Sequence, residues 1–157
     1  MFPRIFVRGV EIERVYSYRC LGLIIDHRMR WNNHVTFIKS RIRPFFAVLR
    51  KSASLVPDSN KLSLYCSAIH WHFLYLISIW GSTGITRLQE LEPTQNKAIR
   101  YMFWREYCYD GLTTNDLFKK YRILKIQELV KYESNFPLNS ELNVRTLRRE
   151  SFLRVTS

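Results

Sequence analysis

The hydrophobic residues of this chain change their spacing at Trp31, and this change limits the folds that the chain can adopt. Before it, apolar and polar residues alternate, as they do in strands with one buried face. After it, apolar residues recur at intervals of three and four, which is the spacing of one helix face. The pattern predicts an α+β, mainly α, protein with a short N-terminal β-hairpin and strand segment, followed by a bundle of four to five helices.

The first 26 residues are predicted to form strands. Apolar and polar residues alternate on both sides of Arg8-Gly9, and such a pair between two alternating runs is typical of a hairpin turn. The next segment, "CLGLIID" at residues 20–26, is predicted to be a third and more buried strand. Gly22 within it indicates a bulge or the close approach of another backbone. Three short strands need a second layer of structure to cover them.

The first predicted helix begins after Trp31, with Asn32 or Asn33 as its cap. Pro44 lies within its pattern, so we expect a kink or a break there, because proline cannot donate a backbone hydrogen bond. The apolar face of this helix consists of Val35, Ile38, Ile42, Phe45, Phe46 and Leu49.

Two further long helices are predicted. The second starts at "VPDSNKL", where Pro57 precedes the cap candidates Asp58 and Ser59, and it runs through Trp80 until Gly81 stops it. The third runs from about Thr86 to Trp104 and is interrupted by Pro93. Its predicted polar face carries Gln95, Asn96, Lys97 and Arg100.

The last part of the chain is predicted to hold two shorter helices. They correspond to "TTNDLFKKY" and "LKIQELVKYE", and Arg122-Ile123 separates them. After Asn135 no sustained period is visible, so we expect an irregular tail.

The charge of the chain favours an anionic partner. The 157 residues contain 25 Lys and Arg against 13 Asp and Glu, a formal net charge of +12. The first 51 residues carry 11 basic and three acidic side chains, so the excess is concentrated there. Nucleic acid is the commonest partner for such a balance, and an acidic membrane surface is the second.

Patterns that would support catalysis or metal binding are weak in this sequence. No Asp-Asp pair occurs in the chain, and Glu11 and Glu13 share a strand face as solvated charges. Cys66 and His70 stand four residues apart on a predicted helix, but two ligands do not make a structural zinc site. The three cysteines show no disulfide framework, which suits a reducing compartment. The apolar segment 62–81 is interrupted by histidines and hydroxyl groups, and we expect a buried core helix there instead of a membrane span.

The basic face of the first helix admits two interpretations. Its cations alternate with aromatic side chains, and such a surface can bind a phosphate backbone without reading the base sequence. The alternative is an ordinary solvated face above an apolar core. The residues concerned are Arg41, Arg43, Arg50 and Lys51, with Trp31, Phe45 and Phe46.

Three successive blocks of the sequence carry a resemblance to a known family. The first block is "YRCLGLIIDHRMRWNNHVTFIKSRI", with Leu21, Gly22, Asp26, Trp31 and His34 as its matching residues. The second is "LVPDSNKLSLYCSAIHWHFLYLISIWGS", with Leu64, Tyr65, His72, Tyr75, Trp80 and Gly81. The third is "RLQELEPTQNKAIRYMF", with Leu88, Leu91, Gln95, Asn96, Lys97, Ala98 and Arg100. In this order the blocks resemble the region that follows the catalytic palm in reverse transcriptases of non-LTR retrotransposons, of the Jockey-like and CR1-like kind. Cys20 departs from the family pattern, where an aromatic residue is usual, and so does Pro93.

This resemblance implies a division of the chain and a function. Residues 1–27 would be the end of the palm with the primer-grip strands, 28–134 a helical thumb-like region, and 135–157 an irregular tail. The primer grip holds the 3′ end of the primer and the thumb tracks the template–primer duplex, so the implied partner is RNA or an RNA/DNA hybrid. The implied nucleic-acid-binding residues are Leu21, Gly22, Lys39, Arg41, Arg43, Lys51, Asn96, Lys97 and Arg100.

The resemblance also implies limits on chemistry. The catalytic aspartates of the family precede the primer grip, so we expect no catalytic residue here and no polymerisation by this chain alone. Mg²⁺ is expected only in the palm, and no cofactor or metal in this chain. We expect a cytoplasmic or nuclear location and no secretion.

Three alternatives remain open at this point. The chain could be a co-opted module that binds nucleic acid, a retroelement relic without function, or a protein of the membrane surface. The sequence does not indicate an oligomeric state.

Overall fold

A computed structural model of the chain describes residues 4–81 and 85–135. Two small antiparallel hairpins precede a series of helices, which confirms the predicted α+β, mainly α, class. The strands are β1 (Phe6–Val7), β2 (Val10–Glu11), β3 (Ser17–Cys20) and β4 (Leu23–Asp26). The helices are α1 (Asn32–Ile42), α2 (Phe45–Ser52), α3 (Asp58–Tyr65), α4 (Trp71–Leu74), α5 (Ile77–Trp80), α6 (Ile85–Gln89), α7 (Glu92–Met102), α8 (Trp104–Cys108), α9 (Thr114–Lys120) and α10 (Ile126–Asn135). A π-helical turn, Cys66–His70, joins α3 to α4.

Both hairpins use a two-residue turn that ends in glycine. The predicted turn at Arg8-Gly9 is confirmed, because β1 and β2 pair on either side of it. The prediction of one strand over residues 20–26 is wrong, because β3 and β4 pair antiparallel around Leu21 and Gly22. The φ angles of these two residues are +48° and +85°. Two successive positive φ angles suit the twist of a tight hairpin, and glycine adopts the second without strain. Gly22 therefore forms a turn instead of a bulge.

The two hairpins differ in how they meet the helices. β4 packs against α1, and Leu23 is buried there. The first hairpin is exposed on both faces, so within the described residues no second layer covers it. Its exposed apolar side chains, with those of the flanking residues, are Ile5, Phe6, Val7, Val10 and Ile12.

Asp26 organises the connection between β4 and α1. Its carboxylate accepts hydrogen bonds from the backbone N–H groups of Arg28, Arg30 and Trp31, at 3.0, 3.1 and 2.8 Å. Partial burial raises the pKa of Asp26, but these hydrogen bonds outweigh it and the pKa is lowered. The predicted asparagine cap is wrong, because Trp31 occupies the N-cap position with a left-handed φ of 61°.

The long predicted helices are divided into shorter ones. The break expected at Pro44 is confirmed, because α1 ends at Ile42 and α2 begins at Phe45. Pro93 lies in the first turn of α7, where a missing backbone N–H leaves no helical hydrogen bond unmade.

The second predicted helix is interrupted in a place that its apolar pattern does not reveal. Leu76 has a φ of +52°, so α4 and α5 are separate helices and the prediction of one helix up to Trp80 is wrong. The indole N–H of Trp80 donates to the carbonyl oxygen of Tyr75 at 2.8 Å, which satisfies one acceptor at this break. Asp58 does not cap α3, since Pro57 occupies the N-cap position and Asp58 pairs with Lys61 at 2.7 Å.

The core lies between the helices. α2, α3 and α9 pack against α7, while α10 packs against α5 and α6. The segment 62–81 supplies core residues, as predicted, with Tyr65, Ile69 and Phe73 fully buried. Among the described residues, no helix combines the length and the apolar character that crossing a membrane requires.

Gln95 corrects the prediction of a polar α7 face. It is only 1% exposed and connects three elements in the core. Its amide donates to the carbonyl oxygen of Leu124 at 2.9 Å and accepts from the N–H of Ile126 at 3.0 Å. A weaker contact of 3.4 Å reaches the hydroxyl of Tyr65. The two short helices predicted after residue 112 are confirmed as α9 and α10, while the predicted irregular tail after Asn135 lies outside the described residues.

Candidate nucleic-acid interface

The Leu21–Gly22 turn meets α4 through Tyr75. The Tyr75 hydroxyl donates a hydrogen bond of 2.6 Å to the carbonyl oxygen of Leu21. A Cβ atom placed on Gly22 would lie 3.4 Å from the ring of Tyr75, so the ring rests closely on the glycine. The Leu21 side chain is 81% exposed beyond this contact. The turn is therefore held by Tyr75 on one side, while Leu21 is exposed to solvent on the other.

Arg41 lies beside this turn and faces an aromatic ring. Its guanidinium is 5.2 Å from the ring centre of Phe37, and that of Arg19 is 5.0 Å from the same centre. Contacts of this length are cation–π interactions, which hold both guanidinium groups near one ring. The structure thus brings the predicted residues Gly22 and Arg41 to one place and adds Arg19 to them. We call this region the hairpin surface; it consists of Arg19, Leu21, Gly22, Phe37, Arg41, Trp71 and Tyr75.

The positive charge of the hairpin surface comes from its arginines. Burial lowers the pKa of His34, and burial together with the nearby Arg41 lowers the pKa of His72. Both imidazoles are therefore neutral at pH 7 and add no positive charge to this surface.

Lys39 points away from the other predicted residues of α1. Two residues along a helix correspond to a rotation of about 200°, so Lys39 and Arg41 lie on different faces. Lys39 pairs with Glu90 at 3.3 Å, and Glu90 also binds Arg87 at 2.5 Å. Hydrogen bonds from Arg87 and Lys39 lower the pKa of Glu90. The charge of Lys39 is therefore partly neutralised within the chain.

Two predicted cations stand at the ends of α2. Arg43 lies in the junction between α1 and α2, and Lys51 lies in the last turn of α2. Both side chains are exposed, and α2 itself packs against α7.

The predicted residues of α7 lie together. The ammonium of Lys97 is 5.0 Å from the ring centre of Phe46 and 5.5 Å from that of Tyr101. Arg100 donates from Nε to the carbonyl oxygen of Asn96 at 3.3 Å. We call this second region the α7 surface; it consists of Phe46, Asn96, Lys97, Arg100 and Tyr101.

A third basic region lies on the connector before α1. A groove of about 280 Å³ is lined by residues of β3, the connector and the start of α1. It contains Arg28 and Arg30, whose backbone Asp26 fixes, together with Asn32 and Asn33. This groove was not among the predicted sites, although the run "HRMR" is visible in the sequence.

The cysteine and histidine of the π-helical turn are poorly suited to bind a metal ion. Burial raises the pKa of the Cys66 thiol to about 11 and lowers that of His70 to about 4. The thiol is therefore protonated at neutral pH and is a poor ligand. In the described part of the chain, no three residues of the types His, Cys, Asp and Glu come together as a metal site requires.

Sequence reasoning missed four residues of the hairpin surface as binding candidates. Phe37 stands four residues before Arg41, and Trp71 four residues before Tyr75, so helical spacing alone could have paired them. Arg19 was missed because its strand was not recognised as one half of a hairpin. The contact between Leu21 and Tyr75 has no local signal, since 54 residues separate the two.

Comparisons with known proteins find relatives whose sequences are similar to part of this chain at low identity. The chain is 27% identical over 114 residues to the probable RNA-directed DNA polymerase from transposon X-element of Drosophila melanogaster, which covers 71% of this chain and 13% of that protein. It is 24% identical over 102 residues to the RNA-directed DNA polymerase from mobile element jockey of Drosophila funebris, and 25% identical over 104 residues to that of Drosophila melanogaster. Each of these two alignments covers 62% of this chain and 11% of the relative.

The chain therefore spans only 11% to 13% of the length of these relatives. No protein-family model matches the sequence, and no solved structure matches it. The distant homologues of this chain are thus RNA-directed DNA polymerases of mobile elements.

Proposed function

We propose that this chain is a segment of a mobile-element reverse transcriptase that holds the template–primer duplex by its backbone. The similarity to two jockey polymerases and one X-element polymerase supports this origin. In this proposal the hairpins are the primer-grip end of the palm, and residues 28–134 form the thumb. The partner is RNA or an RNA/DNA hybrid.

One observation carries the proposal: Arg19 and Arg41 both face Phe37 directly beside the Leu21–Gly22 turn. A hairpin that is fixed by Tyr75 and flanked by two arginines presents a rigid, positively charged edge. Such an edge suits contact with the sugar–phosphate backbone near a strand end, since phosphate contacts position a nucleic acid without reading its sequence.

The α7 surface supplies further phosphate-binding groups. Lys97 and Arg100 stand one helical turn apart, and aromatic rings hold both cations in place. Arg43 on the α1–α2 junction adds one further cation to those of the hairpin surface and the α7 surface. A polymerase must move through any template, so contacts of this kind, which are indifferent to sequence, fit the task of a thumb.

We propose that this chain does not polymerise DNA alone. Phosphoryl transfer by two metal ions needs carboxylates that converge on one site, and the sequence contains no Asp-Asp pair. Mg²⁺ would accordingly be bound by the aspartates of the palm, and in this chain no residue has a proposed catalytic role. Primer extension with the purified chain and Mg²⁺ should give no product above background.

Binding of a 20-base-pair RNA/DNA hybrid tests the proposal directly. If five phosphates are neutralised, the affinity should fall about 500-fold between 50 and 200 mM salt. Hybrids of unrelated sequence should bind equally well, and fluorescence anisotropy measures both properties. An affinity that does not change with salt concentration, or one that depends strongly on the base sequence of the hybrid, would contradict the proposal.

The same preparation addresses the relic and co-opted-module alternatives. A relic that does not fold should show no cooperative transition in a thermal melt followed by far-UV circular dichroism. The buried core of α3, α7 and α9 leads us to expect a cooperative transition. A co-opted binding module would share the salt dependence, because it would use the same surfaces.

A further inference from the structure

A cavity of about 130 Å³ opens behind the Leu21–Gly22 turn, between α1 and α4. It is smaller than the pockets of roughly 300–1,000 Å³ that take drug-sized ligands. Its walls are mainly aromatic and imidazole rings, and the guanidinium of Arg41 lies beside them. The lining residues are Gly22, His34, Phe37, Ile38, Arg41, Trp71, His72 and Tyr75. Its size and its flat aromatic walls suit one planar ring.

His34 places a buried imidazole ring at the wall of this cavity. It is only 2% exposed, and its Nδ1 accepts the N–H of Ile24 at 3.4 Å. The neutral ring therefore carries its proton on Nε2. Among the described residues, Nε2 has no hydrogen-bond partner. Nε2 is also shielded from the cavity as the ring stands, so a bound acceptor would reach it only if the imidazole turns. Leaving a buried donor without a partner is costly, and such a turn would remove that cost.

The rim of the cavity is open and amphipathic. Trp71 is 46% exposed and Tyr75 is 40% exposed, although both line the cavity. Arg41 stands at the same rim, above Phe37. Aromatic faces beside a guanidinium are the means by which proteins hold unstacked bases, which stack on the rings while the cation contacts the adjoining phosphate.

We propose that this cavity receives one unpaired nucleobase of the bound strand, at a strand end or overhang. The base would stack against Trp71 or Tyr75, and Arg41 would contact its phosphate. A turn of the His34 ring would bring Nε2–H to an acceptor on the edge of the base. This inference rests on the proposed function and deepens it, because it names an unpaired nucleotide as the preferred substrate over a blunt duplex.

Three forms of one RNA/DNA hybrid test this inference. The first is blunt, the second carries a single unpaired uridine, and the third carries an abasic nucleotide in the same place. The abasic form keeps the extra phosphate and sugar but lacks the base. We expect the uridine form to bind about tenfold more tightly than the other two, which lies within the range for one stacked base.

Two tryptophan variants test whether the preference for the unpaired base arises at the cavity or elsewhere in the chain. Trp71→Ala should abolish the advantage of the uridine form over the abasic form, measured as the ratio of the two affinities within the variant. Trp104→Ala removes a tryptophan of similar exposure on α8, outside the cavity, and should keep the advantage. Saturating uridine, which has the base but no phosphate to occupy Arg41, should compete with the overhang and leave the binding of the blunt hybrid unchanged.

The outcomes distinguish the two proposals. Salt-dependent binding of the blunt hybrid without any preference for the base would overturn the cavity proposal and leave the proposed function intact. An advantage that persists in Trp71→Ala, or one that the abasic form shares, would also overturn it. If no form binds, the proposed function fails, and the cavity proposal fails with it.

Discussion

The hydroxyl of Tyr75 donates a hydrogen bond to the carbonyl oxygen of Leu21 at 2.6 Å. This contact joins the end of α4 to the tip of the second hairpin. The same ring lies against Gly22, whose missing side chain leaves room for it. These contacts attach the turn to the helical part of the protein, beside Arg19 and Arg41.

Removing the Tyr75 hydroxyl should loosen this connection. We expect Tyr75→Phe to lower the free energy of unfolding by about 1 kcal/mol, the typical net value of one hydrogen bond. Urea denaturation measures the change. Tyr109→Phe is the matched control, because Tyr109 is largely exposed and its variant should unfold as the natural chain does. Equal stability of the two variants would show that the contact with Leu21 does not stabilise the fold.

Asp26 should be important for the connector between β4 and α1. Asp26→Asn removes the negative charge and one acceptor oxygen from a group that binds three backbone N–H donors. We expect a loss of about 1.5 kcal/mol, since hydrogen bonds to charged groups are worth about 1.5–3 kcal/mol. Asp110→Asn makes the same chemical change at an exposed loop position and should have little effect. A similar loss in both variants would contradict the assigned role of Asp26.

Replacement of Gln95 should strongly lower the free energy of unfolding, because its side chain bonds buried backbone groups. Gln95→Leu keeps the size of the side chain but leaves the carbonyl oxygen of Leu124 and the N–H of Ile126 without their partner. We expect a destabilisation of about 3 kcal/mol, because each unsatisfied buried group costs about 1–3 kcal/mol. Gln89→Leu places the same residue on the exposed face of α6. The midpoint of the thermal melt should be clearly lower for Gln95→Leu than for Gln89→Leu. Equal midpoints would show that the hydrogen bonds of Gln95 do not stabilise the fold.

The stability of the chain should fall as the pH is lowered below 6.5. Burial lowers the pKa of His70 from 6.5 to about 4, so in this range the unfolded chain binds more protons than the folded one. Protonation therefore favours the unfolded chain. The free energy of unfolding should increase as the pH is raised from 4.5 to 6.5. Between pH 6.5 and 4.5, His70 should account for a loss of about 2 kcal/mol.

His70→Leu should accordingly show a flatter dependence of unfolding free energy on pH. Ser67→Ala lies in the same π-helical turn and removes no titratable group, so it should retain the slope of the natural chain. Urea titrations at several pH values measure both. If His70→Leu keeps the full slope, the pH dependence arises from other groups.

The helical part of the fold could be predicted because its signals are local. Apolar spacing located most of the helical segments, and Pro44 marked a break, because proline disrupts the backbone wherever it occurs. The interruption at Leu76 was not predictable, since a left-handed leucine in an apolar run depends on tertiary contacts such as the bond from Trp80 to Tyr75.

The candidate site could be predicted only in part, for a related reason. Charge and resemblance selected Gly22 and Arg41, which the structure brings together. They also selected Lys39, which the structure pairs with Glu90 on a distant segment. A sequence shows which residues are cationic, but the internal partner that neutralises one of them is known only once the chain is folded.

The central claim is that the hairpin surface binds nucleic acid by charge, and the salt dependence of binding tests it most directly. The double variant Arg19→Gln/Arg41→Gln is compared with Arg105→Gln/Lys119→Gln, which removes the same charge from exposed positions on α8 and α9. If both arginines contact phosphates, the slope of log Kd against log salt should fall by about 1.8 in the first variant and stay unchanged in the second. Equal slopes for the two double variants would contradict the claim, because the net charge of the chain alone would then explain the binding.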